Sequence, residues 1–124
     1  MQNKSLDDYL KEANELVPRL SFEETIDFIK NKETVIIDVR EESEVINYGL
    51  IKEAIHIPRG LIEFKLSPNS PNNPVQIKDN TNILVYCAGG YRSALAGKTL
   101  IELGFPNVFN ICLLYTSPSP RDVP

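Results

Sequence analysis

One cysteine in this chain stands where a nucleophile would be placed. Cys87 follows the apolar run Ile83-Leu84-Val85-Tyr86, which predicts a strand that ends at the cysteine. Gly89 and Gly90 then turn the chain, and Ser93 is expected to open a helix. Backbone N–H groups and the helix dipole at such a junction favour an anion. The pattern therefore predicts that Cys87 reacts as a thiolate rather than packing as an inert apolar side chain.

Arg92 strengthens the prediction of a reactive thiol. Its guanidinium adds a fixed positive charge and five hydrogen-bond donors to the loop. The two glycines leave neighbouring N–H groups unobstructed, so that the loop can form an anion-binding nest. Only four residues separate Cys87 from Arg92, which predicts a narrow cradle.

Other chemistries have weaker support in the sequence. His56 is the single histidine, and it precedes Ile57-Pro58 in a predicted strand, which favours a structural role over pairing with the cysteine. Two cysteines and one histidine provide no spacing typical of a metal site. We therefore predict neither a metal nor a cofactor.

The surrounding elements alternate between strands and helices. Continuous β-branched runs such as Thr34-Val35-Ile36-Ile37 are typical of strands buried on both faces, and their alternation with helices indicates a parallel α/β sheet. A loop is expected over residues 67–80, which contain three prolines and four asparagines. We predict helices over residues 5–16, 21–31, 41–48, 61–66 and 93–103, and strands over residues 34–39, 54–58, 81–86 and 107–111.

Composition narrows the function classes. The 124 residues carry a formal net charge of −4 and no basic run, so neither nucleic acid nor an anionic membrane is an expected partner. No apolar stretch approaches the roughly 20 residues of a membrane helix. Because two cysteines make no disulfide framework and the N-terminus lacks an apolar signal segment, a reducing cytoplasmic location is expected.

Three segments give the chain its resemblance to a known family. The loop Cys87-Ala88-Gly89-Gly90-Tyr91-Arg92-Ser93 resembles the active loop of the rhodanese-like sulfurtransferases, which consists of a Cys, four residues and an Arg, followed by Ser or Thr. Asp38-Val39-Arg40, with Glu44 shortly after, is similar to the family's upstream signature. The stretch 54–60, Ala-Ile-His-Ile-Pro-Arg-Gly, is similar to its second signature. All three occur in the family's order.

The resemblance implies a reaction and a set of site residues. Cys87 would take a sulfur from a small donor such as thiosulfate, and its persulfide would pass that sulfur to a thiol or a protein cysteine. Supporting roles would fall to Arg92, braced against Glu44, and to Asp38, Arg40 and Arg59. Asp38 is equally compatible with a purely structural turn. The persulfide would be held by the N–H groups of Ala88, Gly89, Gly90, Tyr91, Arg92 and Ser93.

The resemblance also implies a fold and reveals departures from it. The implied fold is a three-layer α/β/α sandwich around a parallel sheet of about five strands. The rhodanese-like domain would cover residues 20–111, after an N-terminal helical extension over residues 1–19. Leu50 replaces a usual histidine, and the loop lacks an extra cation carried by some thiosulfate-preferring members. We expect the final helix to be missing, because residues 112–124 resemble a translated sequencing adaptor or a disordered tail.

The sequence is compatible with two alternative functions. Cysteine phosphatases and arsenate reductases share the implied fold, but their loops carry five residues between Cys and Arg, as suits a tetrahedral phosphate. A non-catalytic module that carries sulfur or binds a partner is the second alternative. Because Cys87 is kept with its whole loop, sulfur transfer is the favoured interpretation. The sequence predicts no oligomeric state.

Overall fold

A parallel sheet forms the centre of the fold. The computed structural model describes residues 3–31, 33–51, 53–71, 73–74 and 77–111. Within them, four strands pair in the order β2-β1-β3-β4. Their bounds are Thr34–Asp38 for β1, Ile55–His56 for β2, Asn82–Tyr86 for β3 and Val108–Asn110 for β4. In the register of this sheet, Asp38 lies opposite both His56 and Tyr86, so the carboxyl ends of three strands meet.

The helices follow the predicted alternation with the strands. Two of them begin at serines whose side chains accept from the backbone N–H three residues on, in capping boxes with Asp8 and Glu24. A 3₁₀ turn covers Arg59–Leu61. The helices are α1 Leu6–Leu16, α2 Phe22–Ile29, α3 Glu42–Tyr48, α4 Ile62–Leu66 and α5 Tyr91–Glu102.

Helices cover both faces of the sheet. Because side chains alternate along a strand, Ile37 and Val85 face one side and Ile36 and Leu84 face the other. The first side packs against buried residues of α4 and α5, including Leu66 and Leu100. On the second side, Phe28 and Ile29 of α2 pack against the sheet. These layers confirm the predicted three-layer α/β fold.

The number of strands differs slightly from the expected five. At the edge of the sheet beyond β4, the described residues add one parallel bridge, between Arg19 and Asn110. Asn110 N–H donates to the Pro18 carbonyl at 2.9 Å, and Leu20 N–H donates to the Asn110 carbonyl at 3.0 Å. Pro18 has no N–H with which to extend the ladder. The described residues therefore contain four strands, and one bridge stands where a fifth strand was expected.

The start of α5 corrects the sequence interpretation. The helix begins at Tyr91, two residues before the expected Ser93. Gly90 precedes it with φ of 85°, a left-handed conformation that a side chain would disfavour. Ser93 therefore lies in the first turn, where its hydroxyl contacts other groups instead of capping the helix.

The N-terminal segment packs on α5. Ala13 is fully buried, and Glu12 pairs with Lys98 at 3.5 Å. No helix among the described residues is both long enough and apolar enough to cross a membrane. The predictions made for residues 112–124, the adaptor-like tail and the absence of a final helix, concern a segment outside the described residues.

Candidate functional site

The Cys87 sulfur lies at the carboxyl end of β3 and is almost enclosed, with 2% of the residue exposed. Two backbone donors point at it. Gly90 N–H donates to Sγ at 3.1 Å and Ser93 N–H at 3.3 Å. The Ser93 hydroxyl oxygen lies 3.4 Å from the same sulfur. The two backbone donors stabilise negative charge on the sulfur.

A buried asparagine of β4 holds the loop. Asn110 is 1% exposed, and its Nδ2 donates to the Gly90 carbonyl at 3.1 Å. Its Oδ1 accepts from the Ser93 hydroxyl at 2.6 Å. The sequence reasoning assigned Asn110 only to a strand, because a single asparagine in a short strand carries no local functional signal.

Arg92 and Glu44 are brought together across two helices. The guanidinium of Arg92 on α5 donates two hydrogen bonds to the carboxylate of Glu44 on α3, at 2.5 and 2.9 Å. These bonds lower the pKa of Glu44 from 4.5 to about 2, and the same carboxylate raises the pKa of Arg92. Such a fork-to-fork pair fixes both orientation and distance. It anchors the arginine end of the Cys87 loop to α3.

Asp38 and Arg40 form a buried ion pair at the end of β1. Asp38 is fully buried and Arg40 is 2% exposed. Both carboxylate oxygens accept from the Arg40 guanidinium, at 2.7 to 3.0 Å, and Oδ1 also accepts from the Arg40 backbone N–H at 2.9 Å. Arg40 Nη2 donates further to the Gly49 carbonyl at 2.7 Å. The pair ties the end of β1 to the end of α3 and has a scaffolding geometry.

His56 and Arg59 make contacts away from Cys87. His56 Nε2 donates to the Arg40 carbonyl at 2.7 Å, in line with the structural role expected for this histidine. Arg59 donates to the Thr99 hydroxyl at 3.1 Å and to Glu63 at 3.3 Å. Thr99 stands six residues beyond Ser93, about 9 Å further along α5. Arg59 is thus joined to the C-terminal half of α5 and not to the loop.

The outer rim of the loop is open to solvent. Ala88 is exposed and Tyr91 is 66% exposed, whereas Gly90 and Ser93 are buried. Gly89 lies between these extremes. Arg19 adds a cation to the loop region, because a Cβ built on Gly90 would lie 2.9 Å from its Nη2. Sequence reasoning missed Arg19, which is distant in the chain.

Comparisons with known proteins show which families and structures this chain is similar to. The family model for the rhodanese-like domain matches residues 21–112. A tRNA uridine(34) hydroxylase of Prochlorococcus marinus is 33% identical over 85 residues, which are 67% of this chain and 27% of that protein. A sulfurtransferase of Allochromatium vinosum is 26% identical over 80 residues, 64% of this chain and 66% of that protein. The chain thus spans about a quarter of the first relative and just under two thirds of the second.

A solved structure covers nearly the whole described fold. It is a protein of unknown function from Rhodopseudomonas palustris whose description includes possible tyrosine phosphatase. It has 31% sequence identity and a TM-score of 0.77, and the match covers 90% of this chain and 86% of that one.

Proposed function

This chain belongs to the rhodanese-like domain family, and on that premise we propose that it is a sulfurtransferase that carries a sulfane sulfur on Cys87 as a persulfide. The observation that carries the proposal is the pair of backbone N–H groups, from Gly90 and Ser93, aimed at the Cys87 sulfur. The similarity to the sulfurtransferase of Allochromatium vinosum supports the proposal.

The proposed reaction has two displacement steps. The Cys87 thiolate attacks the outer sulfur of a donor such as thiosulfate. The donor's S–S bond breaks, sulfite leaves with the bonding electron pair, and a persulfide forms on Cys87. An acceptor thiolate or cyanide then attacks the outer sulfur, and the Cys87 thiolate leaves. No net oxidant or metal is required for either step.

The loop residues would divide the work of holding the charged sulfur. The N–H groups of the first turn of a helix have no partner within that helix. At α5 the Ser93 N–H and the preceding Gly90 N–H meet Sγ, and those of Tyr91 and Arg92 stand between them in the chain. We expect these intermediate groups to hold the outer sulfur of the persulfide. Arg92, fixed by Glu44, would keep the cradle in shape.

The other predicted site residues support the fold around the site and do not contact the Cys87 sulfur in this proposal. Asp38 and Arg40 would maintain the end of β1 beside β3, and Arg59 would stabilise the packing of the 3₁₀ turn on α5. The partners of the protein would be a small sulfur donor and a thiol or protein-cysteine acceptor. The sulfur-carrier alternative requires the same persulfide and differs only in the acceptor step.

A phosphatase is the competing enzyme, because the description of the structural relative includes possible tyrosine phosphatase. Only four residues separate Cys87 from Arg92. The loops of cysteine phosphatases carry five residues between their Cys and Arg. A shorter loop encloses a smaller group, which favours a single sulfur atom over a tetrahedral phosphate.

The test combines mass spectrometry with a phosphatase assay. The protein is exposed to thiosulfate or to polysulfide, digested with trypsin, and the peptide of residues 79–92 is weighed, because it contains Cys87 and separates it from Cys112. We expect a gain of one sulfur atom on this peptide, and none in Cys87→Ser. Turnover of p-nitrophenyl phosphate that depends on Cys87, with no sulfur gained, would replace this proposal with the phosphatase.

A further inference from the structure

The amide of Asn110 can take only one orientation. Its two polar atoms meet the Gly90 carbonyl at 3.1 Å and the Ser93 hydroxyl at 2.6 Å. A carbonyl oxygen only accepts hydrogen bonds, so Nδ2 must face Gly90. Oδ1 must then face Ser93. Because Asn110 is 1% exposed, water does not offer the amide another arrangement.

This orientation decides which way the Ser93 hydroxyl donates. Oδ1 of Asn110 is an acceptor, so the single hydroxyl proton of Ser93 is directed to it. The hydroxyl oxygen therefore presents a lone pair to the Cys87 sulfur, 3.4 Å away. A neutral thiol can donate its own proton to that lone pair. The result is a chain of donors from Cys87 through Ser93 to Asn110.

We propose that Asn110 is a positioning residue that directs the Ser93 hydroxyl away from the Cys87 thiolate and so shifts the balance of Cys87 towards the neutral thiol. The proposal rests on the proposed function only in treating Cys87 as the reacting group. When the thiol ionises, its proton passes to solvent and the thiolate only accepts hydrogen bonds. Ser93 can then serve the thiolate or Asn110, but not both.

The consequence is a sulfur under two opposed influences. The N–H groups of Gly90 and Ser93 stabilise the thiolate, and the hydroxyl that Asn110 directs stabilises the thiol. A thiolate is a weaker nucleophile when its parent thiol is more acidic. The hydroxyl that favours the thiol therefore keeps an ionised Cys87 strongly nucleophilic.

Several charged and titratable side chains lie on the elements around the Cys87 loop. Arg92 lies on the same loop, its partner Glu44 comes from α3, and Arg19 approaches Gly90 from the N-terminal segment. The end of β1 contributes the ion pair of Asp38 and Arg40, and β2 contributes His56. None of these side chains is altered by the substitutions below.

The experiment measures the pH at which Cys87 becomes reactive. Alkylation by iodoacetamide is followed from pH 5 to pH 10 on the tryptic peptide of residues 79–92. In Asn110→Ala the freed Ser93 hydroxyl donates to the thiolate, and we expect the midpoint to fall by about half a pH unit, a roughly threefold larger ionisation constant. Asn107→Ala, in the turn before β4, is the control and should leave the midpoint unchanged.

Ser93→Ala decides the matter if Asn110→Ala does not fold. The proposal predicts a lower midpoint for Ser93→Ala, because the neutral thiol loses its acceptor. Adding Asn110→Ala to Ser93→Ala should then lower it no further. A midpoint that rises or stays constant in Ser93→Ala overturns the proposal, since that is the result expected of a hydroxyl that already donates to the thiolate. A rise in Asn110→Ala overturns it as well.

These outcomes are separate from those that test sulfur transfer. Alkylation requires no sulfur donor, so a lowered midpoint without persulfide formation would support the role of Asn110 and contradict the proposed function. Persulfide formation together with a raised midpoint in Asn110→Ala would support the proposed function and contradict the role of Asn110.

Discussion

Replacing Glu44 with glutamine removes the charge that holds Arg92, and its effect can be worked out from the ion pair. The pKa of Glu44 lies at about 2 instead of 4.5, chiefly because Arg92 donates two hydrogen bonds to it. A difference of that size corresponds to about 3 kcal/mol of unfolding free energy. The two side chains are 27% and 36% exposed, so solvent screening reduces the value. We expect Glu44→Gln to lower the unfolding free energy by about 1–2 kcal/mol at pH 7.

The loss should depend on pH with a definite sign. A carboxylate whose pKa is lowered on folding stabilises the protein above its unfolded pKa, here 4.5, and loses that effect as the pH falls towards about 2. The difference between the wild type and Glu44→Gln should therefore be constant from pH 6 to 8 and smaller by roughly two fifths at pH 3.5.

Urea unfolding at pH 7 and pH 3.5 measures both quantities. Glu63→Gln is the matched control, because Glu63 also pairs with an arginine but its side chain is 49% exposed and the distance is 3.3 Å. That variant should lose less than about 0.5 kcal/mol. A Glu44→Gln loss equal to that of Glu63→Gln, or one that does not change with pH, would refute the reasoning. Sulfur loading of Glu44→Gln should also slow, because the loop loses its anchor.

Three further substitutions test individual contacts, each by urea unfolding. Gly90→Ala should cost about 1–2 kcal/mol, since its φ of 85° is left-handed, and should also reduce sulfur loading; unchanged stability would contradict the strain. Gly97→Ala should cost about 1–3 kcal/mol, because the new Cβ would lie 2.9 Å from a methyl group of Val17; a stabilised variant would show that α1 and α5 adjust freely. Asp38→Asn should cost about 3 kcal/mol or more by leaving Arg40 buried without a counter-charge, and a loss below 1 kcal/mol would argue that water reaches the pair.

Local patterns were sufficient to predict most of the sheet. The β-branched run that forms β1 and the apolar run that forms β3 are typical of strands covered on both faces, and both were found where they were expected. The second strand was predicted over residues 54–58 and covers only Ile55–His56. Its length depends on pairing with Ile37 and Asp38, a contact between distant parts of the chain.

The site was predictable only where its residues are neighbours in sequence. The spacing of Cys87 and Arg92 can be read directly, and the position of Glu44 came from the family resemblance. Asn110 reaches Ser93 across 17 positions and only because β4 lies beside β3, so nothing local pointed to it. Arg59 was assigned to the site by resemblance, yet its side chain meets Thr99, forty positions away. Side-chain direction after a short strand depends on tertiary packing.

The most direct test of the central claim follows one sulfur atom through Cys87. The protein is loaded with polysulfide carrying a heavy sulfur isotope, freed of excess donor, and mixed with a small thiol. We predict one labelled sulfur per chain on the peptide of residues 79–92, followed by its transfer to the thiol and the return of the peptide to its original mass. A label that never appears on this peptide, or that appears equally in Cys87→Ser, would contradict the account.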